Sequence, residues 1–143
     1  MSLTLAIIKP DAFGRALGGQ ILAHLEGQGF RVRAARVLHL AELQAQEFYA
    51  VHSERPFFRP LVRFMTSGPC MPLVLERVDA VARLRSVIGA TDPAQAETGT
   101  IRALFAESRE RNAIHASDSD ENARREIAFF FAESDLLGTG ATG

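Results

Sequence analysis

The 143-residue sequence contains one lysine, Lys9, against fifteen arginines, and one cysteine, Cys70. A lone cysteine excludes an internal disulfide and any CxxC metal or redox motif. Long hydrophobic runs are missing too: Leu5 to Ile8 and Ile127 to Ala132 are far too short to span a bilayer. Met1 to Thr4 carries no basic n-region, so no export signal is expected, and a reducing cytoplasm is the expected compartment. Neither sign of charge dominates. A formal net charge of −1 gives no basic field for non-specific nucleic-acid binding, so any anion must be held locally. P-loop, H-E-x-x-H, EF-hand and nucleophile-elbow patterns are absent. Gly138 to Gly143 matches G-x-G-x-x-G by letter, but it has neither the preceding strand nor the following helix that would receive a pyrophosphate.

What remains is an ordinary globular composition, 47% hydrophobic and 23% charged, at a length that predicts one domain over residues 1–143. The final residues 138–143 are expected to form a flexible tail. Leu3 to Lys9 reads as a buried strand stopped by Pro10. Leu17, Ile21, Leu22 and Leu25 recur at helical spacing before Gly29. Arg31 to Leu40 reads as a second strand with a bulge near Ala35 and Arg36. Two short helices, 42–51 and 57–65, are separated by Arg55-Pro56. A strand around Leu73 to Leu75 and a helix from Asp79 to Ile88 follow.

Residues 89–111 read as mostly irregular, with a short helix start at Asp92-Pro93. A brief strand near Ala113 to Ala116 leads to a last helix, expected to be capped by Asp118 and to bury Ala123, Ile127, Phe130 and Phe131. Strands separated by helices imply an α/β (α+β) fold, a four-stranded sheet with helices on it that resembles the ferredoxin-like split βαβ plan. Fold alone says nothing about function.

Among four histidines, His24 flanks an apolar helix face, His39 sits in the expected second strand, and His52 lies in a polar connection. His115 differs. In Asn112-Ala113-Ile114-His115-Ala116-Ser117-Asp118-Ser119 it lies among small residues between a loop and a helix. A neutral imidazole there can act as a nucleophile if a partner fixes its tautomer, and a carboxylate does that well. Glu126 falls at the edge of the last helix's apolar face. Periodicity alone does not separate that role from an ordinary surface carboxylate. Ser117 is either a hydroxyl beside this pair or part of a turn. Lys9 ends the first strand, where an ammonium offers a compact charge with rotatable donors; chance placement explains a lone lysine equally well from composition alone.

With these residues assembled, the chain resembles the nucleoside diphosphate kinase family from about Leu3 to Asp135. The segment Asn112 to Ser119 is similar to that family's active-site signature. Ile8-Lys9-Pro10-Asp11, Arg55-Pro56-Phe57-Phe58, Ser67-Gly68-Pro69, Gly89-Ala90-Thr91-Asp92-Pro93 and Gly99-Thr100-Ile101-Arg102 match in order. The resemblance implies a ferredoxin-like βαββαβ core with an antiparallel sheet. It also implies a Mg²⁺-dependent, ping-pong transfer of a γ-phosphoryl group from a nucleoside triphosphate such as ATP to a nucleoside diphosphate, through a phosphohistidine.

By the same resemblance His115 is the nucleophile, and Glu126 and Ser117 fix and assist it. Lys9, Tyr49 and Asn112 surround the transferring phosphate and the sugar 3′-hydroxyl. Arg85, Thr91 and Arg102 bind phosphates, and Phe57 with Leu61 takes the base. The resemblance alone selects Arg85, because helix periodicity places Arg83 equally well. It further implies that Mg²⁺ is held by nucleotide phosphates and that the chain forms a homo-oligomer, a tetramer or hexamer built on a dimer. No membrane and no specific nucleic acid are expected as partners.

These roles make physical sense. Phosphoryl transfer asks mainly for positioning and for cations around three oxygens, each pair worth about 4 kcal/mol before desolvation at an effective dielectric of about 20. Stacking engages the π-face that every base has, so base specificity is expected to be broad. Two rival classes, a nucleotide-binding module without chemistry and a nucleic-acid binder, fit less well, because all the matched groups are present together and no basic stripe exists. Two departures stand out: Ala116 where the family usually has Gly, and Thr98 where it often has Pro.

Overall fold

The structure is a computed structural model that describes residues 1–137; the expected tail of 138–143 lies outside the described residues. Strand β1 (Ser2–Ile8) is the organising element. Leu5 to Ile8 are completely buried, because β1 has neighbours on both sides and a hydrophobic cluster on each face. That explains an unbroken apolar run in place of alternation. Ala6 and Ile8 face one cluster with Ile21, Leu25, Leu84 and Ile88. Leu5 and Ile7 face the other, with Phe48, Met65, Ile127 and Phe130.

Strands β2 (Arg31–Ala35), β3 (Met71–Arg77) and β4 (Ile114–Ala116) complete a four-stranded sheet in the order β2-β3-β1-β4. All three pairings are antiparallel. Helix α2 (Gly18–Gly27) links β1 to β2, and α5 (Ala80–Ile88) links β3 to β4, which gives the βαββαβ plan. Helices α3 (Glu42–Phe48) and α4 (Phe58–Met65) form an excursion between β2 and β3. Helix α7 (Asp120–Phe130) covers the face of Leu5 and Ile7 with exactly the residues its periodicity selects, Ala123, Ile127 and Phe130, and Phe131 follows them inward.

Several local features differ from the sequence reading. Pro10 stops β1 and also starts a helix, α1 (Pro10–Gly14), at its first position, where the missing N–H is not needed. Helix α6 (Ile101–Phe105), capped by the Thr100 hydroxyl, lies inside the segment expected to be irregular, and α8 (Glu133–Leu136) follows α7. Each is too short to show periodicity. The second strand ends at Ala35; its irregularity falls earlier than expected, between Val32 and Ala34, and Leu38 meets Cys70 only as an isolated bridge. His39 is therefore not in a strand, and its ring bonds the Thr66 carbonyl at 2.6 Å. Ser119, and not Asp118, caps α7, because Ser119 takes the extended conformation and its hydroxyl accepts from Asn122 N.

One glycine is required by contact. At Gly89 (φ +88°) a Cβ would lie 2.7 Å from Thr100 Cβ. That close approach seats the end of α5 against the start of α6 and so places Arg102 beside β4.

Candidate active site

The register of β4 on β1 sets His115. Ile114 and Ala116 pair with Ile8 and Ala6 and enter the α5 side of the core, so His115, opposite Ile7, points to the α3 and α7 side. There its Nε2 lies 2.9 Å from Glu126 Oε1, and Ser117 Oγ donates to the same oxygen at 2.6 Å. With Glu126 ionised, Nε2 carries the proton and Nδ1 keeps its lone pair. Burial pushes the Glu126 carboxyl up, but the His115 and Ser117 hydrogen bonds and the His115 charge outweigh it and hold the group below its ordinary value. Glu126 is thus hydrogen-bonded to the ring and only part-exposed in the structure.

Two rings from the end of α3 wall the imidazole. Phe48 meets it edge-on at 5.5 Å and Tyr49 at 6.2 Å between centroids. The Tyr49 hydroxyl is buried without a hydrogen-bond partner among the described residues. Burial raises its pKa well above the ordinary phenol value, so it stays a protonated donor. The resemblance implied Tyr49, and sequence reasoning missed Phe48. The only available signal for Phe48 was its place on an apolar helix face, which any core residue shares.

Lys9 directly follows β1 and is 9% exposed. Its Nζ donates to Asn112 Oδ1 at 2.9 Å, and Asn112 Nδ2 donates to the Thr91 carbonyl at 3.2 Å. Burial, then the Arg102 charge, lowers the Lys9 pKa to about 8, with Asp11 opposing them. Among the described residues that ammonium has no ion-pair partner close enough to bond, so a phosphate oxygen would improve its surroundings.

Arg102 is also buried, and its guanidinium donates to the Gly89 and Ile114 carbonyls at 3.0 and 2.8 Å. Its Nε is buried without a partner among the described residues, and burial together with Arg85 lowers its pKa to about 10. Arg85 reaches the Ala116 carbonyl at 3.4 Å, which places it beside β4.

Phe57 precedes α4 and is 48% exposed, with Leu61 one turn on and partly packed into the core. His52, which the sequence left uninformative, lies against Phe57 at 5.2 Å between ring centroids. Five residues across an Arg-Pro turn give no periodic signal for that pairing. Ala116 is an ordinary strand residue, since the non-glycine positive φ values among the described residues are at Ala16, Asp79 and Ala113. The Gly-to-Ala departure therefore carries no backbone strain.

An imidazole held by a part-buried carboxylate, with a buried ammonium and two guanidiniums nearby, is chemistry suited to moving a phosphoryl group. The comparisons with known proteins agree. The family model "Nucleoside diphosphate kinase" matches residues 2–136. A nucleoside diphosphate kinase of Chlorobium chlorochromatii is 53% identical, over 96% of this chain and 98% of that protein. One from Helicobacter pylori is 56% identical, over 93% and 97%. Among solved structures, the Aquifex aeolicus nucleoside diphosphate kinase aligns with a TM-score of 0.93 at 44% identity, covering 95% of this chain and 99% of that one. A halophilic nucleoside diphosphate kinase from Halobacterium salinarum, in complex with CDP, aligns at 0.90 and 38% identity, covering 95% and 91%. Site chemistry, sheet order and similarity along nearly the whole length converge: the chain belongs to the nucleoside diphosphate kinase family.

Proposed function

We propose that His115 Nδ1 is the nucleophile of the family's ping-pong exchange, within one domain spanning residues 1–143. In the first half-reaction Nδ1 forms a bond to the γ-phosphorus of a nucleoside triphosphate, the bond from phosphorus to the β,γ-bridging oxygen breaks, and the nucleoside diphosphate leaves. In the second, a terminal oxygen of another diphosphate takes the phosphoryl group and the N–P bond breaks. Glu126, with Ser117, holds the ring and stabilises the positive charge it gains on phosphorylation.

Lys9 and Tyr49 donate to the transferring group and the leaving oxygen. Arg85, Thr91 and Arg102 hold the remaining phosphates, and Asn112 orients Lys9 and meets the sugar 3′-hydroxyl. Phe57 and Leu61 receive the base by stacking and apolar contact, which supports use of purines and pyrimidines alike. The observation that carries this reading is the bond between His115 Nε2 and Glu126, which leaves Nδ1 as the nitrogen with a lone pair.

Mg²⁺ fits as an ion that arrives on the nucleotide. The cleft offers ammonium and guanidinium donors, and Asp118, held ionised chiefly by the Asn122 hydrogen bond at 2.6 Å, stands exposed at its rim. Among the described residues no three His, Cys, Asp or Glu side chains gather into a cage. Once bound, the ion neutralises phosphate charge. No described helix is long and apolar enough to cross a membrane; cytoplasmic residence, and assembly as a tetramer or hexamer built on a dimer, are part of the same proposal.

Incubation with γ-labelled ATP and Mg²⁺ is expected to yield an acid-labile, base-stable protein phosphate that His115→Ala abolishes. Equal labelling of the two proteins would overturn the assignment.

A further inference from the structure

Asp11 has no part in the chemistry above, yet it is an almost completely buried carboxylate at the edge of the site, 3% exposed. Its Oδ2 accepts the Ala113 N–H at 3.0 Å, a contact between groups 102 residues apart in sequence. Ala113 is an unusual residue to find there. It is fully buried at φ +74°, and the Ile114 N–H bonds back to the Asn112 carbonyl at 2.9 Å, so residues 112–114 form a γ-turn.

An L-residue in that conformation is strained and persists only where its surroundings hold it. Here two groups from one short segment do so: Asp11 takes the N–H of Ala113, and the Lys9 N–H takes its carbonyl at 2.9 Å. On one side of the turn stands Asn112, the partner of the Lys9 ammonium, and on the other, one residue beyond Ile114, His115.

The second carboxylate oxygen is the informative one. Asp11 Oδ1 is buried without a hydrogen-bond partner among the described residues. The turn needs one acceptor, which an asparagine would supply without leaving a charged oxygen bare. What a carboxylate adds is its negative charge. The charged groups around it explain the use: Lys9 two residues before it, Arg15, whose guanidinium bonds the Asp11 backbone carbonyl at 3.1 Å and is itself paired with Glu107, Arg102 from α6 acting on Lys9, Arg85 from α5 acting on Arg102, and His115 of β4 with Glu126 of α7 across the cleft. Asp11 is the group that counters burial and Arg102 at Lys9.

We propose that Asp11 is a positioning residue for phosphoryl transfer, its carboxylate holding the γ-turn that aims His115 and acting as the counter-charge of the Lys9 ammonium. The proposal rests on the phosphohistidine reading given above. It is tested by single-turnover labelling with Mg²⁺ and ATP, following phosphohistidine formation across the pH range in the wild type and in Asp11→Asn.

The expected result is labelling slowed roughly 10- to 100-fold near neutral pH. The alkaline limb of the rate should move down by about one pH unit, so that part of the loss is regained on acidification. Labelling at the wild-type rate overturns the proposal. So does slowing with an unmoved alkaline limb, because a purely structural prop would leave the Lys9 charge untouched. A wild type that takes no label overturns the phosphohistidine reading, and this proposal with it. If Asp11→Asn does not fold, the same profile is read on Asp11→Asn combined with Ala113→Gly, since glycine adopts φ +74° without strain. The limb is expected to stay lowered there, and a wild-type profile would overturn the proposal.

Discussion

The phosphate end of the cleft and its base end are built by opposite means. At the phosphate end Lys9, Asn112, Arg102 and Ser117 are all buried, and each has a partner within hydrogen-bond distance before any nucleotide arrives. At the base end Phe57 stands half exposed at the mouth of α4, with His52 as its ring neighbour. Transition-state charge is stabilised by groups that need not reorganise, which suits the roles proposed for this end. Base identity is irrelevant to the bond being broken, and in the proposed role a single exposed ring would serve every base. Precision is concentrated where the chemistry is.

Removing the buried ammonium is the severest way to break that contrast. Lys9→Met is expected to lower exchange by on the order of 10³-fold or more at saturating nucleotide, measured in steady state. The same substitution has a stability signature with a definite sign. Lys9 has a folded pKa of about 8, below its ordinary 10.5, so between those values the unfolded chain binds more protons and wild-type stability gains from rising pH. The stability of Lys9→Met relative to wild type, from chemical denaturation, should therefore be most favourable to the variant near pH 7 and decline towards about pH 10. A difference independent of pH would show that Lys9 carries no burial penalty.

Glu126→Gln is the next step down. The amide keeps the shape of the side chain and presents one acceptor, but loses the charge that stabilises a phosphorylated ring. Turnover should fall roughly 10- to 100-fold with nucleotide KM little changed, read from kcat and KM separately. A rise in KM alone would move Glu126 from the chemistry to binding.

Much of this end was legible in the sequence, for identifiable reasons. The apolar run of β1 marks a strand buried on both faces, and the Ala123, Ile127 and Phe130 spacing of α7 places Glu126 at the edge of a buried face. That His115 faces it comes from the register of β4 on β1, which the structure supplies. What the sequence hid is what periodicity cannot carry. Helices α1 and α6 have five residues each, too few for a repeat, although Pro10 and Thr100 mark where they start. Asp118 and Ser119 are both good caps, and only backbone conformation decides between them. Asp11 looked like part of a motif, but its bond to Ala113 spans most of the chain and is set by tertiary structure alone. Phe48, likewise, reads as core until β4 brings His115 against it.

The base end should yield the smallest effect and the sharpest test of the contrast. Phe57→Ala removes a ring that is 48% exposed, so little core packing is lost and the fold should hold. Stacking on one aromatic is worth about 1–3 kcal/mol by alanine substitution, so KM for a nucleoside diphosphate should rise about tenfold. Because the ring touches neither His115 nor a phosphate, kcat should stay within about twofold. The rise should be similar for a purine and a pyrimidine diphosphate, since both present a π-face of comparable stacking ability. A loss confined to one base class would mean that a hydrogen-bonding group at this end reads the base edge. A large fall in kcat would mean that the base end helps to align the γ-phosphate with Nδ1, and the division between a fixed phosphate end and a permissive base end would fail.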